Sequence, residues 1–170
     1  MSITFNADEI FEMAEQVERN GAKFYREVAA KAADRQMKDM FLTMAAMEDG
    51  HLRTFQEMRK GLSDQEKGGT TFDPEGEATM YLQALADSKG FEGMISPTQK
   101  LTGRESPRQL IEIAIDAEKN SVLFYVGLKD LMATETSRER IEGVIREEVR
   151  HVADVDDPEE RLWPRGRGHP

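Results

Sequence analysis

Glu48-Asp49-Gly50-His51 and Glu148-Val149-Arg150-His151 are two copies of one short pattern, and their surroundings match as well. Glu18 and then Phe24-Tyr25 precede the first copy, while Glu118 and then Phe124-Tyr125 precede the second. In both, thirty residues separate the lone Glu from the Glu-x-x-His pair, and the copies lie a hundred residues apart. Laying residue 8 over residue 108 without gaps also pairs Glu12 with Glu112, Ala14 with Ala114 and Asn20 with Asn120. A period this long is not that of a solenoid and points to duplication of one structural unit.

That unit reads as a helical hairpin. From Ala7 to about Ala33, the apolar positions Ile10, Phe11, Ala14, Val17, Phe24, Val28 and Ala29 recur at steps of three and four, the helical period. Asn6 can cap this helix, with Glu9 completing a capping box. A second helix is expected from about Arg35 to Lys60, with Met37, Met40, Phe41, Met44, Met47, His51, Leu52 and Phe55 along one broad side and Gly61 as its stop. The join between the two is so short that they must be antiparallel neighbours. Ser106-Pro107 starts a third helix that should end near Ala133, carrying Leu110, Ile111, Ala114, Ala117, Val122, Tyr125 and Leu128 inward. A fourth should start at Thr136 or Ser137, with Ile141, Val144, Ile145, Val152 and Val155 inward, and end close to Asp157-Pro158.

Two related hairpins pack most naturally about a pseudo-two-fold axis perpendicular to the bundle. That makes the second and third helices parallel, so the link between them must travel the bundle's length, ~40 Å for about 26 residues. Residues 61–105 are long enough, and their glycines and prolines leave only about 77–88 looking helical, through Met80, Tyr81, Ala84 and Leu85. The expected organisation is one domain over 1–160, from hairpins at about 7–60 and 106–157, and a flexible basic tail over 161–170 with Trp163 as its one aromatic anchor.

Composition narrows the function. At 170 residues the chain can bury one substantial core. A net charge of -10 argues against a nucleic-acid or anionic-membrane surface, either of which needs a basic footprint. No apolar run approaches the roughly 18 to 20 residues of a membrane span, and Met1 to Phe5 lack the features of a secretion signal, so a cytoplasmic location is expected. Zero cysteines remove disulfides, thiolate metal sites and thiol nucleophiles together. Any chemistry must use oxygen and nitrogen donors.

Residues three apart on a helix sit one above the other, so Glu48 with His51, and Glu148 with His151, can each offer an oxygen and a nitrogen to one point. Glu18 and Glu118 come from the partner helices at comparable depth. A Glu from each of two helices and a Glu-x-x-His from each of the others is the ligand set of di-iron carboxylate bundles. Charge agrees with it, because four buried carboxylates alone repel one another and protonate, while two divalent ions cancel them. Such donors suit iron or manganese and can accept zinc. Glu147 could stand in for Glu148 by a four-residue step to His151, but its repeat partner is Met47, which favours Glu148. Tyr25 and Tyr125 are expected to hydrogen-bond ligand carboxylates from behind; their plainer reading is as core residues that reach polar partners. The ten methionines read as packing, and His169 as an exposed tail residue.

These residues resemble the ferritin-like superfamily and, within it, the rubrerythrin-type di-iron domain. The likeness covers roughly residues 7–155 and rests on Glu18, Glu48-x-x-His51, Glu118, Glu148-x-x-His151 and the two Phe-Tyr pairs. It implies an all-α four-helix bundle with a long crossover between helices 2 and 3. It also implies two iron ions that oxidise ferrous iron or reduce dioxygen or hydrogen peroxide, with no catalytic residue beyond the ligands, and a ferroxidase- or peroxidase-like activity. Two departures stand out. Full-length rubrerythrins carry a cysteine-ligated rubredoxin module, so this chain would need a separate electron donor for reductive turnover. Many also place an extra Glu one turn after the third-helix ligand, where this chain has Ser121. Association into a homodimer along exposed helix faces is expected. The alternative reading is a non-catalytic metal-binding bundle, or a structural adaptor whose metal only stabilises it.

Overall fold

A computed structural model describes residues 6–32, 34–64, 67, 80, 101–102, 104–132 and 134–156. Four helices form among them: α1 over Ala7–Lys31, α2 over Arg35–Lys60, α3 over Pro107–Asp130 and α4 over Glu135–Asp156. Of the segment expected to be helical over 77–88, all but Met80 lies outside the described residues, as does the tail over 161–170.

The helix starts repeat with the duplication. Asn6 and Ser106 both cap through complete capping boxes, closed by Glu9 and Gln109 respectively. Asp34 accepts from the Met37 amide to cap α2, and Thr134 accepts from the Ser137 amide at 3.2 Å to start α4. The Thr134 cap explains why α4 begins at Glu135, slightly earlier than the periodicity suggests. The ends also depart from expectation for local reasons. α1 stops at Lys31 because Ala32 turns to extended backbone, with its N–H still on the Val28 carbonyl, to deliver Asp34 to its cap. α3 ends at Asp130, short of 133, because the Leu131 and Met132 amides bond back three residues to Leu128 and Lys129. That tightened turn swings both side chains into the core, where they are 5% and 4% exposed.

The core has two apolar layers. One joins the start of α1 (Ile10, Phe11, Ala14), the end of α2 (Phe55, Met58), the end of α3 (Phe124, Tyr125, Leu128) and the start of α4 (Ile141, Val144, Ile145). The other joins the end of α1 (Phe24, Tyr25, Val28, Ala29), the start of α2 (Phe41, Met44, Ala45) and the start of α3 (Leu110, Ala114). Starts meet ends between α1 and α3 and between α2 and α4, so those pairs are antiparallel and α2 runs parallel to α3. Each large apolar side chain taken fully out of water contributes about 1.5–3 kcal/mol, so these layers hold the hairpins together. Arg59 adds a tie at one end of α1 and α2, donating to both oxygens of Asp8 at 2.9 and 2.8 Å and to Glu12 at 3.1 Å. No described helix is long and apolar enough to cross a membrane.

Candidate metal centre

Between the apolar layers lies a polar slab built by the repeated positions. Glu18, Glu48, His51, Glu118, Glu148 and His151 are all buried, none more than 5% exposed. A carboxylate in such a place is expensive unless paired, so its presence on four helices at one level needs a reason.

Geometry supplies it. Glu18, Glu48, His51 and Glu148 each offer a donor atom, and these atoms all lie within 4.8 Å of one another; Glu48, Glu118, Glu148 and His151 do the same. The two quartets share Glu48 and Glu148, so those carboxylates sit between two points that Glu18 with His51 and Glu118 with His151 flank. The imidazoles turn Nδ1 inward. His51 Nδ1 is 2.9 Å from Glu148 and 3.6 Å from Glu18, and His151 Nδ1 is 3.1 Å from Glu148 and 3.4 Å from Glu118. The rings stack with centroids 5.5 Å apart and planes at 21°.

Glu18 Oε2, His51 Nδ1, Glu148 Oε1 and His151 Nε2 are buried without a hydrogen-bond partner. His51 Nδ1 and Glu148 Oε1 are only 2.9 Å apart, yet their alignment is not that of a hydrogen bond. Three orphaned atoms directed at a common point, among hard oxygen donors and imidazoles, fit divalent metal ions.

Electrostatics agree. Burial, with crowding by Glu148, pushes the Glu18 and Glu48 carboxyls well up, and burial beside Glu148 raises Glu118 to about 8. Burial alone would lower His51, but Glu148, Glu48 and Glu147 outweigh it and raise the ring to about 9. His151 is likewise raised against its burial by Glu118 and Glu148, to about 10. Burial also works against the charge on Glu148, but the two imidazoles win and hold it below the usual carboxylate range. Raised carboxyls and raised imidazoles together mark an excess of buried negative charge that cations would offset.

The tyrosines cross over. Tyr25 donates to Glu118 Oε1 and Tyr125 to Glu18 Oε1, each reaching the opposite hairpin although its spacing placed it on the face of its own hairpin's Glu. This leaves Oε2 of each Glu facing the imidazoles. Beside them is a cavity of about 30 Å³ lined by Gly21, Tyr25, Glu48, Glu118 and Ser121 among others, room for a molecule or two of water size. Gly21 makes room for Glu48: a Cβ there would stand 3.3 Å from the Glu48 carboxyl carbon. Ser121 turns its hydroxyl back to the Ala117 carbonyl at 3.2 Å. Sequence spacing carried no sign of the Gly21 role, because an isolated helical Gly has no side chain to place on a face, whereas Ser121 stood out only by its position one turn after Glu118.

The family model for rubrerythrin matches residues 9–157. The chain belongs to the rubrerythrin family. A solved structure from Thermotoga maritima, described as a ferritin-like diiron-carboxylate protein, is similar to this rubrerythrin-family chain with a TM-score of 0.68. Identity is 21%, over 91% of this chain and 94% of that one, a likeness that carries the ferritin-like four-helix fold. No curated protein matches the sequence.

Proposed function

We propose that the chain is a di-iron carboxylate oxidoreductase that oxidises ferrous iron or reduces dioxygen or hydrogen peroxide. The observation that carries this reading is the pair of four-donor groups sharing Glu48 and Glu148. In it Glu18 and His51 would complete one metal position and Glu118 and His151 the other, with Glu48 and Glu148 between them. A bound iron pair supplies two one-electron equivalents and Lewis acidity at adjacent points.

The chain's own residues do the rest. Tyr25 and Tyr125 fix the outer oxygens of Glu118 and Glu18, which keeps the inner oxygens aimed at the site. The apolar layers above and below limit water. The small cavity at Gly21 and Ser121 has room for an oxidant the size of dioxygen or hydrogen peroxide beside Glu48 and Glu118, which supports redox chemistry. With no cysteine in the chain, electrons for a reductive cycle would come from a separate donor. A cytoplasmic homodimer remains part of the proposal; exposed Leu123, Val126 and Val149 support it, since the repeat places Lys23, Arg26 and Asp49 there on the first hairpin.

The test is anaerobic loading with ferrous iron, followed by dioxygen or hydrogen peroxide. Two irons per chain, with rapid oxidant consumption and a new near-ultraviolet absorption that Glu48→Ala abolishes, is the expected result. Stable binding with no consumption of either oxidant would reduce the site to a passive metal holder.

A further inference from the structure

The duplication turns Nδ1 of both imidazoles toward Glu148, at 2.9 Å from His51 and at 3.1 Å from His151, where only the second contact is a hydrogen bond, and it surrounds their outer nitrogens differently. His51 Nε2 meets the Glu147 carboxylate at 2.9 Å across the hairpin boundary. His151 Nε2 is buried with no hydrogen-bond partner. The repeat explains the asymmetry: the position equivalent to Glu147 on the first hairpin is Met47, whose thioether is at best a weak acceptor.

An imidazole that offers one nitrogen to a metal has the other free to donate an N–H. A carboxylate on that N–H fixes the tautomer, holds the ring plane and makes the inner nitrogen a better donor. We propose that Glu147 is a positioning residue that makes the two metal positions unequal, so that the one served by His51 is the tighter. The proposal rests on the two-metal reading above and adds an order of filling to it. Glu147 is itself 52% exposed at its side chain, which suits a residue that touches the ring from outside and not the metal. Its neighbour in sequence, Glu148, is 1% exposed and points into the site, so one turn of α4 divides the two jobs between adjacent carboxylates.

The experiment is an anaerobic titration of the metal-free chain with Co(II), followed by calorimetry and by the visible absorption of the bound ion. The unaltered chain should show two unequal steps. Glu147→Ala should weaken the tighter step by about 10- to 100-fold, the usual cost of losing an outer partner, and leave the other unchanged. Glu147→Gln keeps an amide oxygen that accepts from Nε2–H, so it should recover part of that loss, which a merely structural surface residue would not show. Two steps that Glu147→Ala leaves untouched, or weakens equally, would overturn the proposal while the two-metal site stands. Failure of the unaltered chain to take up Co(II) at all would instead remove the site on which it rests.

Discussion

The two hairpins are copies that have kept one set of residues and lost another. Their six candidate ligands, their crossing tyrosines and the positions of their helix caps coincide under the hundred-residue shift. Around that shared frame they differ: Gly21 against Ser121, Met47 against Glu147, and the Arg26–Asp49 ion pair against exposed Val126 and Val149. The six retained donors lie where all four helices converge, while these three differences lie on a helix's outer or flanking side. A buried donor set tolerates no drift, since one missing carboxylate or imidazole strands the others in an apolar interior. The periphery is free to make the halves unequal.

The largest effect should come from separating shared donors from unshared ones. Glu48→Ala removes a member of both quartets and should cut bound metal from two ions per chain to none, a loss larger than the ~10- to 100-fold attached to an outer partner. Glu18→Ala and Glu118→Ala each touch one quartet and should leave one ion, read by elemental analysis after gel filtration. If Glu48→Ala and Glu18→Ala lose the same amount, the two positions are not distinct.

Next comes a test in which both hairpins respond together. Without metal, folding raises Glu118 from 4.5 to about 8, His51 from 6.5 to about 9 and His151 from 6.5 to about 10. Each raised group makes the folded chain bind more protons than the unfolded one between its two values. The sign for the metal-free chain is therefore a stability that falls as pH rises, from the carboxylate range up to about pH 10. Glu148, held low, acts the other way and only in acid. Thermal midpoints of the metal-free chain should drop steadily from about pH 6 to 9, and those of the loaded chain much less, because the ions replace the protons. A metal-free midpoint that rises over that interval would contradict the electrostatics of the site.

The smallest effect sharpens the contrast between Gly21 and Ser121. Gly21→Ala adds a methyl 3.3 Å from the Glu48 carboxyl, while relieving up to about 1 kcal/mol of helix cost. The metal-free midpoint should hold or rise by about 2–4 °C, and metal affinity should fall by about tenfold, the low end for a change to a group that bears on a ligand from outside. Ser121→Ala should change neither, since its hydroxyl bonds only its own helix among the contacts seen here. Equal responses from the two variants would mean that Glu48 has slack at α1.

Much of this was legible in the residues because two copies constrain each other. One Glu-x-x-His is common in a chain this rich in Glu; two, at matching distances from Glu18 and Glu118, identified the interior level at which the helices meet. The periodicity likewise placed the helices to within a few residues, and misjudged their ends only where a cap or a buried turn decided, as at Thr134 and at Leu131 with Met132. Relations across the hairpin boundary were not legible. Spacing puts Tyr25 over Glu18, and only the packing of one hairpin against the other brings it to Glu118. The same packing gives Glu147 to His51 and not to His151, the ring on its own helix.

Each donor quartet contains three side chains from one hairpin and one borrowed from the other. Neither hairpin alone closes either quartet, so each needs the other to complete the cage. Joining the two halves through residues 61–105 keeps each half's missing donor at hand whatever the concentration of chains.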